Sequence, residues 1–236
     1  MSAQSTHQQI MNIMLVHGAW ADGSGWAKVI RPLVDEGFAV TAAPLPLTSY
    51  TDDVEALERA LHRVAGPVVL VGHAYAGAVI AGVKSENVKA LVYVAALAPD
   101  EGETVADVFY RGEPDPRAPQ LAPDENGLIY YPHEAFAAAY APNATDEELA
   151  VLSAVQRPIS PACITAPVAR PLWKDRPSWY LIAEDDRMIA ATNQHFMADR
   201  MQAVQRPFPV DHTPMVTAPE AVLQVIREAA ASVTES

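Results

Sequence analysis

The sequence predicts an α/β fold: a doubly wound, mainly parallel sheet with a small helical cap inserted into it. Two observations carry that expectation. Short apolar, β-branched runs alternate with segments whose apolar residues recur at helical spacing, the pattern of a parallel sheet covered on both faces. Residues 101–177 then break the rhythm and hold eleven of the twenty prolines, which rules out long helices and central strands there.

Strands are expected at Asn12–Val16, Ala39–Ala43, Val68–Val71, Ala90–Ala95, Ser178–Ala183 and Ala203–Val210. Most are near-continuous apolar runs, as strands buried on both faces should be. Between the first two, Trp26, Val29, Ile30, Leu33 and Val34 form a helical stripe that Gly37 ends. Val54, Leu57, Leu61 and Val64 form a second, with Thr51 as its expected cap and Asp52 and Asp53 in its first turn. The last helix is expected to open on a capping box, Thr217-x-x-Glu220, and to bury Val222, Val225, Ile226 and Ala229.

The 101–177 stretch keeps two helix-like pieces, around His133–Tyr140 and Thr145–Val155. It is rich in aromatic residues (Phe109, Tyr130, Tyr131, Phe136, Tyr140 and Trp173), which argues for an ordered cap over the strand C-termini, where open α/β sheets bind ligands. The expected organisation is therefore core over 1–100, cap over 101–177 and core again over 178–236.

Composition narrows the function. With 29 acidic and 16 basic residues the chain carries a net charge of −13, which repels nucleic-acid backbones and anionic membrane surfaces. No apolar run approaches the roughly 18 residues of a membrane span, and the N-terminus has no basic leader, so a cytoplasmic protein is expected. Cys163 is the single cysteine, so there is no intramolecular disulfide and no cysteine metal cluster. Neither paired histidines nor a phosphate-binding glycine loop occurs, and no metal or cofactor is expected. The expected partner is a small molecule, and a monomer or a homodimer is equally compatible with the sequence.

The chemistry concentrates at strand ends. The first strand runs into His17-Gly18-Ala19-Trp20, and the third into Gly72-His73-Ala74-Tyr75-Ala76-Gly77. The latter has the layout of a nucleophile elbow, G-x-S-x-G, with Ala74 at the serine position and Ala76 at the last glycine. The last two strands end in Glu184-Asp185-Asp186-Arg187 and in Asp211-His212-Thr213, an acid and then a histidine in chain order after the elbow.

LVHGAW (15–20), PLTSYTDDV (46–54), PVVLVGHAYAGAVI (67–80), LVYVAALAPDEGE (91–103), EDDRMI (184–189) and VDHTPMV (210–216) together resemble the compact α/β-hydrolases of the esterase, hydroxynitrile-lyase and plant methylesterase type. The resemblance spans nearly the whole chain and implies an α/β-hydrolase fold. It implies His212 as the triad histidine and Asp186 as the acid that orients it, with Asp185 and Glu184 as rivals. It also implies the amides of Ala19 and Tyr75 as an oxyanion hole, and His17, Gly18, Trp20 and His73 around the pocket. For His17 and His73, hydrogen bonding to backbone is the expected task rather than chemistry.

The serine does not carry over. Ala74 has no lone pair, so an acyl-enzyme at this position is excluded. Cys163, Ser160, Thr165 and Thr213 offer no replacement near the elbow. The leading expectation is a hydrolase-fold enzyme that acts on a small, mainly apolar carbonyl or ester compound through a His212–Asp186 general base. Two alternatives stand beside it: a serine esterase carrying an engineered serine-to-alanine change at 74, and a non-catalytic small-molecule binder.

Overall fold

A computed structural model describes residues 10–234; residues 1–9, where a leader would be sought, and 235–236 lie outside the described residues. Six strands form one parallel sheet: β1 (Asn12–Val16), β2 (Ala39–Ala43), β3 (Val68–His73), β4 (Val88–Val94), β5 (Ser178–Ala183) and β6 (Val204–Phe208). Their spatial order is β2-β1-β3-β4-β5-β6, and every pairing is parallel. The expected strands all exist: β1, β2 and β5 have the expected bounds, and the ends of β3, β4 and β6 move by at most two residues. β6 is an edge strand, which is why Pro207, lacking an N–H, is tolerated in it.

Nine α-helices are found among the described residues: α1 (Ala27–Asp35), α2 (Tyr50–Leu61), α3 (Ala76–Gly82), α4 (Val105–Phe109), α5 (Asp146–Ala154), α6 (Ala162–Thr165), α7 (Ala191–Arg200), α8 (Pro214–Thr217) and α9 (Pro219–Thr234). Alternation along the strands explains the double winding. Ile13, Leu15, Val69 and Val71 face Trp26, Val29 and Leu33 beside α1 and Val222 and Ile226 of α9. Met14, Val16, Leu70 and Tyr93 face the other way, onto Leu57 and Leu61 of α2, Val79 of α3 and Met197 of α7. The four inner strands thus bury both sets of side chains, β3 at all six positions, whereas the edge strands β2 and β6 stay partly exposed.

Two helix starts differ from expectation. Ser49, not Thr51, caps α2: its extended backbone aims Oγ at the Asp52 N–H, 3.0 Å away. Thr217 does not cap α9. It ends α8, and its hydroxyl donates to Asp211 Oδ1 at 2.7 Å, so the expected capping box does not form. A capping box does occur at α5, between Thr145 and Glu148.

Between β4 and β5 the chain adds no strand to the sheet. The piece expected around His133–Tyr140 is a 3-10 turn, His133–Ala135, followed by a π-helix, Phe136–Tyr140. Phe136 and Tyr140 stack edge to face with centroids 5.0 Å apart.

After β1 the chain crosses to β2 on one side, and β3 returns on the other side of β1. The C-terminal ends of β1 and β3 therefore flank the point where strand order reverses, the preferred ligand position in such sheets. No described helix is long and apolar enough to cross a membrane.

Candidate active site

The elbow after β3 is built by close approach. A Cβ on Gly72 would lie 2.9 Å from the Ala76 carbonyl oxygen, and one on Gly77 only 2.4 Å from that of Leu97. Ala74 sits at the apex with φ +50°, a left-handed conformation that costs an alanine about 1 kcal/mol or more. Its carbonyl accepts from Gly77 N (3.1 Å) and Leu97 N (2.9 Å), which holds the strained residue from both sides. Ala76 is the first residue of α3 and has no positive φ, so that position does not demand a glycine.

The turn after β1 packs directly on this elbow. A Cβ on Gly18 would meet Ala74 Cβ and the His73 carbonyl oxygen, each at 3.0 Å. A glycine lets the two turns meet without either giving way. The next two residues are fixed from residues 101–177: Tyr140 Oη donates to the Ala19 carbonyl (3.1 Å), and Trp20 Nε1 donates to that of Ile129 (2.9 Å). The N–H groups of Ala19 and Tyr75 make no hydrogen bond among the described residues.

His212 and Asp186 meet behind the cavity wall. Nδ1 of His212 lies 2.9 Å from Oδ2 of Asp186, and the two side chains are 4% and 0% exposed. A carboxylate only accepts, so the imidazole carries its proton on Nδ1 and leaves Nε2 with a free lone pair. Asp186 is held in turn by Gln194 Nε2 (2.8 Å) on Oδ2 and by the amides of Met188 (2.7 Å) and Ile189 (2.9 Å) on Oδ1. Its rivals are elsewhere: Asp185 and Glu184 are exposed, and Glu184 pairs with His195.

His17 and His73 are buried against backbone. His73 Nε2–H donates to the His212 carbonyl at 2.7 Å, and the two rings lie 4.7 Å apart. His17 donates from Nδ1 to the Gly18 carbonyl (2.9 Å) and accepts from Leu45 N at Nε2 (3.0 Å). Burial, above all, pulls the His17 pKa down and that of His73 well down, so both are neutral.

A cavity of about 100 Å³ opens in front of Ala74. The strand-end turns contribute Ala19, Trp20, Ala74, Tyr75 and His212 to its lining, residues 101–177 contribute apolar and aromatic side chains such as Phe109, Ile129, Tyr140, Ile159 and Ile164, and the turn after β5 adds Met188 and Ile189. No charged side chain faces it. Of the expected pocket residues only Trp20 borders this cavity. His17 and His73 border a separate space of about 20 Å³, and Gly18 borders neither, because its place is taken up by contact with the elbow.

Three residues at the site were not singled out from the sequence. Gln194, four residues into α7, gave no signal at all. Tyr140 was visible only as one aromatic among several, and Met188, whose Sδ accepts from Tyr131 Oη (3.2 Å), as the middle of EDDRMI. Cys163 is fully buried and burial pushes its thiol up to about 12, so it carries no thiolate. Among the described residues no cluster of three or more histidine, cysteine or acidic side chains is arranged to hold a metal ion.

Residues 13–225 match the profile of the Alpha/beta hydrolase family, and the chain belongs to that family. It is 28% identical over 245 residues to Alpha/beta hydrolase nvfD of Aspergillus novofumigatus (strain IBT 16806), covering 89% of this chain and 92% of that protein. Among solved structures it superimposes on a pyrethroid hydrolase from Sphingobium faniae JZ-2 with a TM-score of 0.83 and 22% identity, over 96% of this chain and 100% of that one. For polyneuridine aldehyde esterase the TM-score is 0.77 at 18% identity, over 93% and 99% of the two chains. For a tomato methylketone synthase I variant complexed with beta-ketoheptanoate it is 0.81 at 17% identity, over 94% and 98%. At such identities these structures share the fold.

Proposed function

We propose that this member of the Alpha/beta hydrolase family is an ester hydrolase-like enzyme for small, mainly apolar carbonyl or ester compounds, working without a nucleophilic serine. One observation carries the reading: the buried His212–Asp186 contact of 2.9 Å at the wall of a cavity with no charged side chain.

In the proposed mechanism the carbonyl oxygen of the substrate points at the N–H groups of Ala19 and Tyr75, beside the positive end of α3. Nε2 of His212 takes a proton from a water molecule, whose oxygen attacks the carbonyl carbon. The developing negative charge falls on the oxygen held by the two amides. When the carbon–oxygen bond to the leaving group breaks, His212 returns the proton to it, and Asp186 stabilises the imidazolium in between. For a substrate with an acidic C–H or O–H the same nitrogen takes that proton instead, which supports lyase or isomerase chemistry. General-base catalysis of this kind contributes roughly 10²–10⁴-fold. Every group named comes from one chain, so a monomer suffices.

Short p-nitrophenyl esters test the reading, with beta-ketoheptanoate, the molecule in the tomato neighbour's complex, as a second probe. Turnover is expected in the parent protein and is lost in His212→Ala; unchanged turnover in that variant would sink the proposal. Ala74→Ser tests the serine-esterase reading, which is favoured by the retained φ of +50° at the apex. A large gain in ester hydrolysis supports a serine-containing parent. Tight ligand binding with no turnover in either form supports a binding protein instead.

A further inference from the structure

Asp53 is fully buried in the first turn of α2, and the proposed mechanism gives it no task. It forms no ion pair among the described residues, so its carboxylate rests on hydrogen bonds and on the N-terminal end of the helix. Oδ1 accepts from Leu47 N at 2.7 Å. Oδ2 accepts from Tyr75 Oη at 2.7 Å, and Cys163 Sγ lies 3.5 Å from the same oxygen. Leu47 has a positive φ of +59°, and its carbonyl accepts from Ser160 N at 2.9 Å. One carboxylate thus meets three segments: the loop after β2, the elbow residue Tyr75, and the stretch 159–165 whose Ile159 and Ile164 wall the cavity.

Such a group is costly to bury without a cation, and burial raises its pKa accordingly. Three donors converging on two oxygens are what an ionised carboxylate needs, and an apolar residue here would leave Tyr75 Oη and Leu47 N without partners. The cavity wall and the residue next to Ala74 are otherwise separate in sequence by more than eighty positions.

We propose that Asp53 is a positioning residue: through the Tyr75 hydroxyl it fixes the elbow against the 159–165 segment, so that the Tyr75 amide and the apolar wall hold one register. The amide half of this statement rests on the proposed oxyanion hole; the clamp between elbow and 159–165 does not.

Uniformly ¹⁵N-labelled full-length protein separates the two halves. Amide shifts are followed on adding pentan-2-one, a small neutral ketone, and hydrogen exchange is followed at Ser160 and Cys163, in the parent, Tyr75→Phe and Asp53→Asn. Tyr75→Phe keeps the ring and removes only the hydroxyl. Asp53→Asn keeps an acceptor for Leu47 N and replaces the other oxygen by a donor. In the parent the ketone is expected to move the amides of Ala19 and position 75. In both variants the response at position 75 is lost and that at Ala19 kept. Exchange at Ser160 and Cys163 rises about tenfold, the worth of one net hydrogen bond. Parent-like exchange and shifts in both variants overturn the proposal, as does an equal acceleration across the whole chain. If the ketone moves neither amide in the parent, the oxyanion reading fails, and the exchange at 160–163 still decides the clamp.

Discussion

The C-terminal ends of β1 and β3 and the turns that follow β5 and β6 both bury histidines, but they give them opposite partners. His17 and His73 meet backbone carbonyls, and burial holds them neutral. His212 meets the carboxylate of Asp186, which itself takes four hydrogen bonds. A carbonyl fixes a ring and its tautomer but offers little to an imidazolium; a carboxylate does both. The first pair is therefore a scaffold, and the second holds the histidine that the proposed mechanism uses to take up and return a proton. His73 joins them, because its Nε2–H holds the very backbone that carries His212.

Breaking the carboxylate side should have the largest effect. Asp186→Ala leaves His212 Nδ1–H, Gln194 Nε2 and two amides without their acceptor in a buried site, and is expected to cost about 3–5 kcal/mol in urea unfolding. Asp186→Asn preserves the shape but sets a donor against His212 Nδ1–H or forces the other tautomer. Turnover of the substrate should fall by roughly 10²–10⁴-fold in kcat, the whole contribution of the base, with a much smaller loss of stability. An active, stable Asp186→Ala would erase the distinction between the two regions.

The backbone-bonded side should respond more mildly. His73→Leu removes the donor to the His212 carbonyl and is expected to cost about 1–3 kcal/mol, whereas His73→Gln, which retains an N–H near the same place, recovers much of it. Equal losses in both variants would show that the hydrogen bond is not what matters.

pH sharpens the comparison further. Folded-state pKa values of His17 and His73 lie below the unfolded value of 6.5, so the unfolded chain binds more protons in acid. Their stabilisation is fully present above pH 6.5 and is lost as pH falls below it. Asp53, whose pKa is raised, has the opposite sign: its unfavourable contribution grows as pH rises above 3.8, its unfolded value. The histidine part is read as a difference between proteins: from pH 7.5 down to about 5, the parent's melting temperature should drop relative to that of His73→Gln. The smallest effect is expected from a control in neither region: Thr145→Ala breaks the capping box of α5, costs about 1 kcal/mol and leaves both histidine environments intact.

Much of the site is legible in the sequence, for reasons tied to particular residues. Positions of His212 and Ala74 follow from strands whose apolar runs fix where each turn must fall. Gly72 and Gly77 mark close approaches that no side chain permits. Choosing Asp186 over Asp185 and Glu184 was open, because three consecutive acids look alike until one is turned inward and met by Gln194. The same limit hid Asp53: an acid in the first turn of a helix usually faces water, and only the approach of Tyr75 and Cys163 gives it a buried partner.

By itself, then, the sequence determined the chain order of the six strands, the helices α1, α2, α5 and α9, and the turns that form the candidate site, since these depend on local periodicity and backbone sterics. Tertiary structure decided which carboxylate holds His212, which histidines stay neutral, that Ser49 rather than Thr51 caps α2, and that His17, Gly18 and His73 stand outside the cavity. Those outcomes depend on donors and acceptors brought together from distant positions, and no local pattern encodes which of several similar groups loses its water.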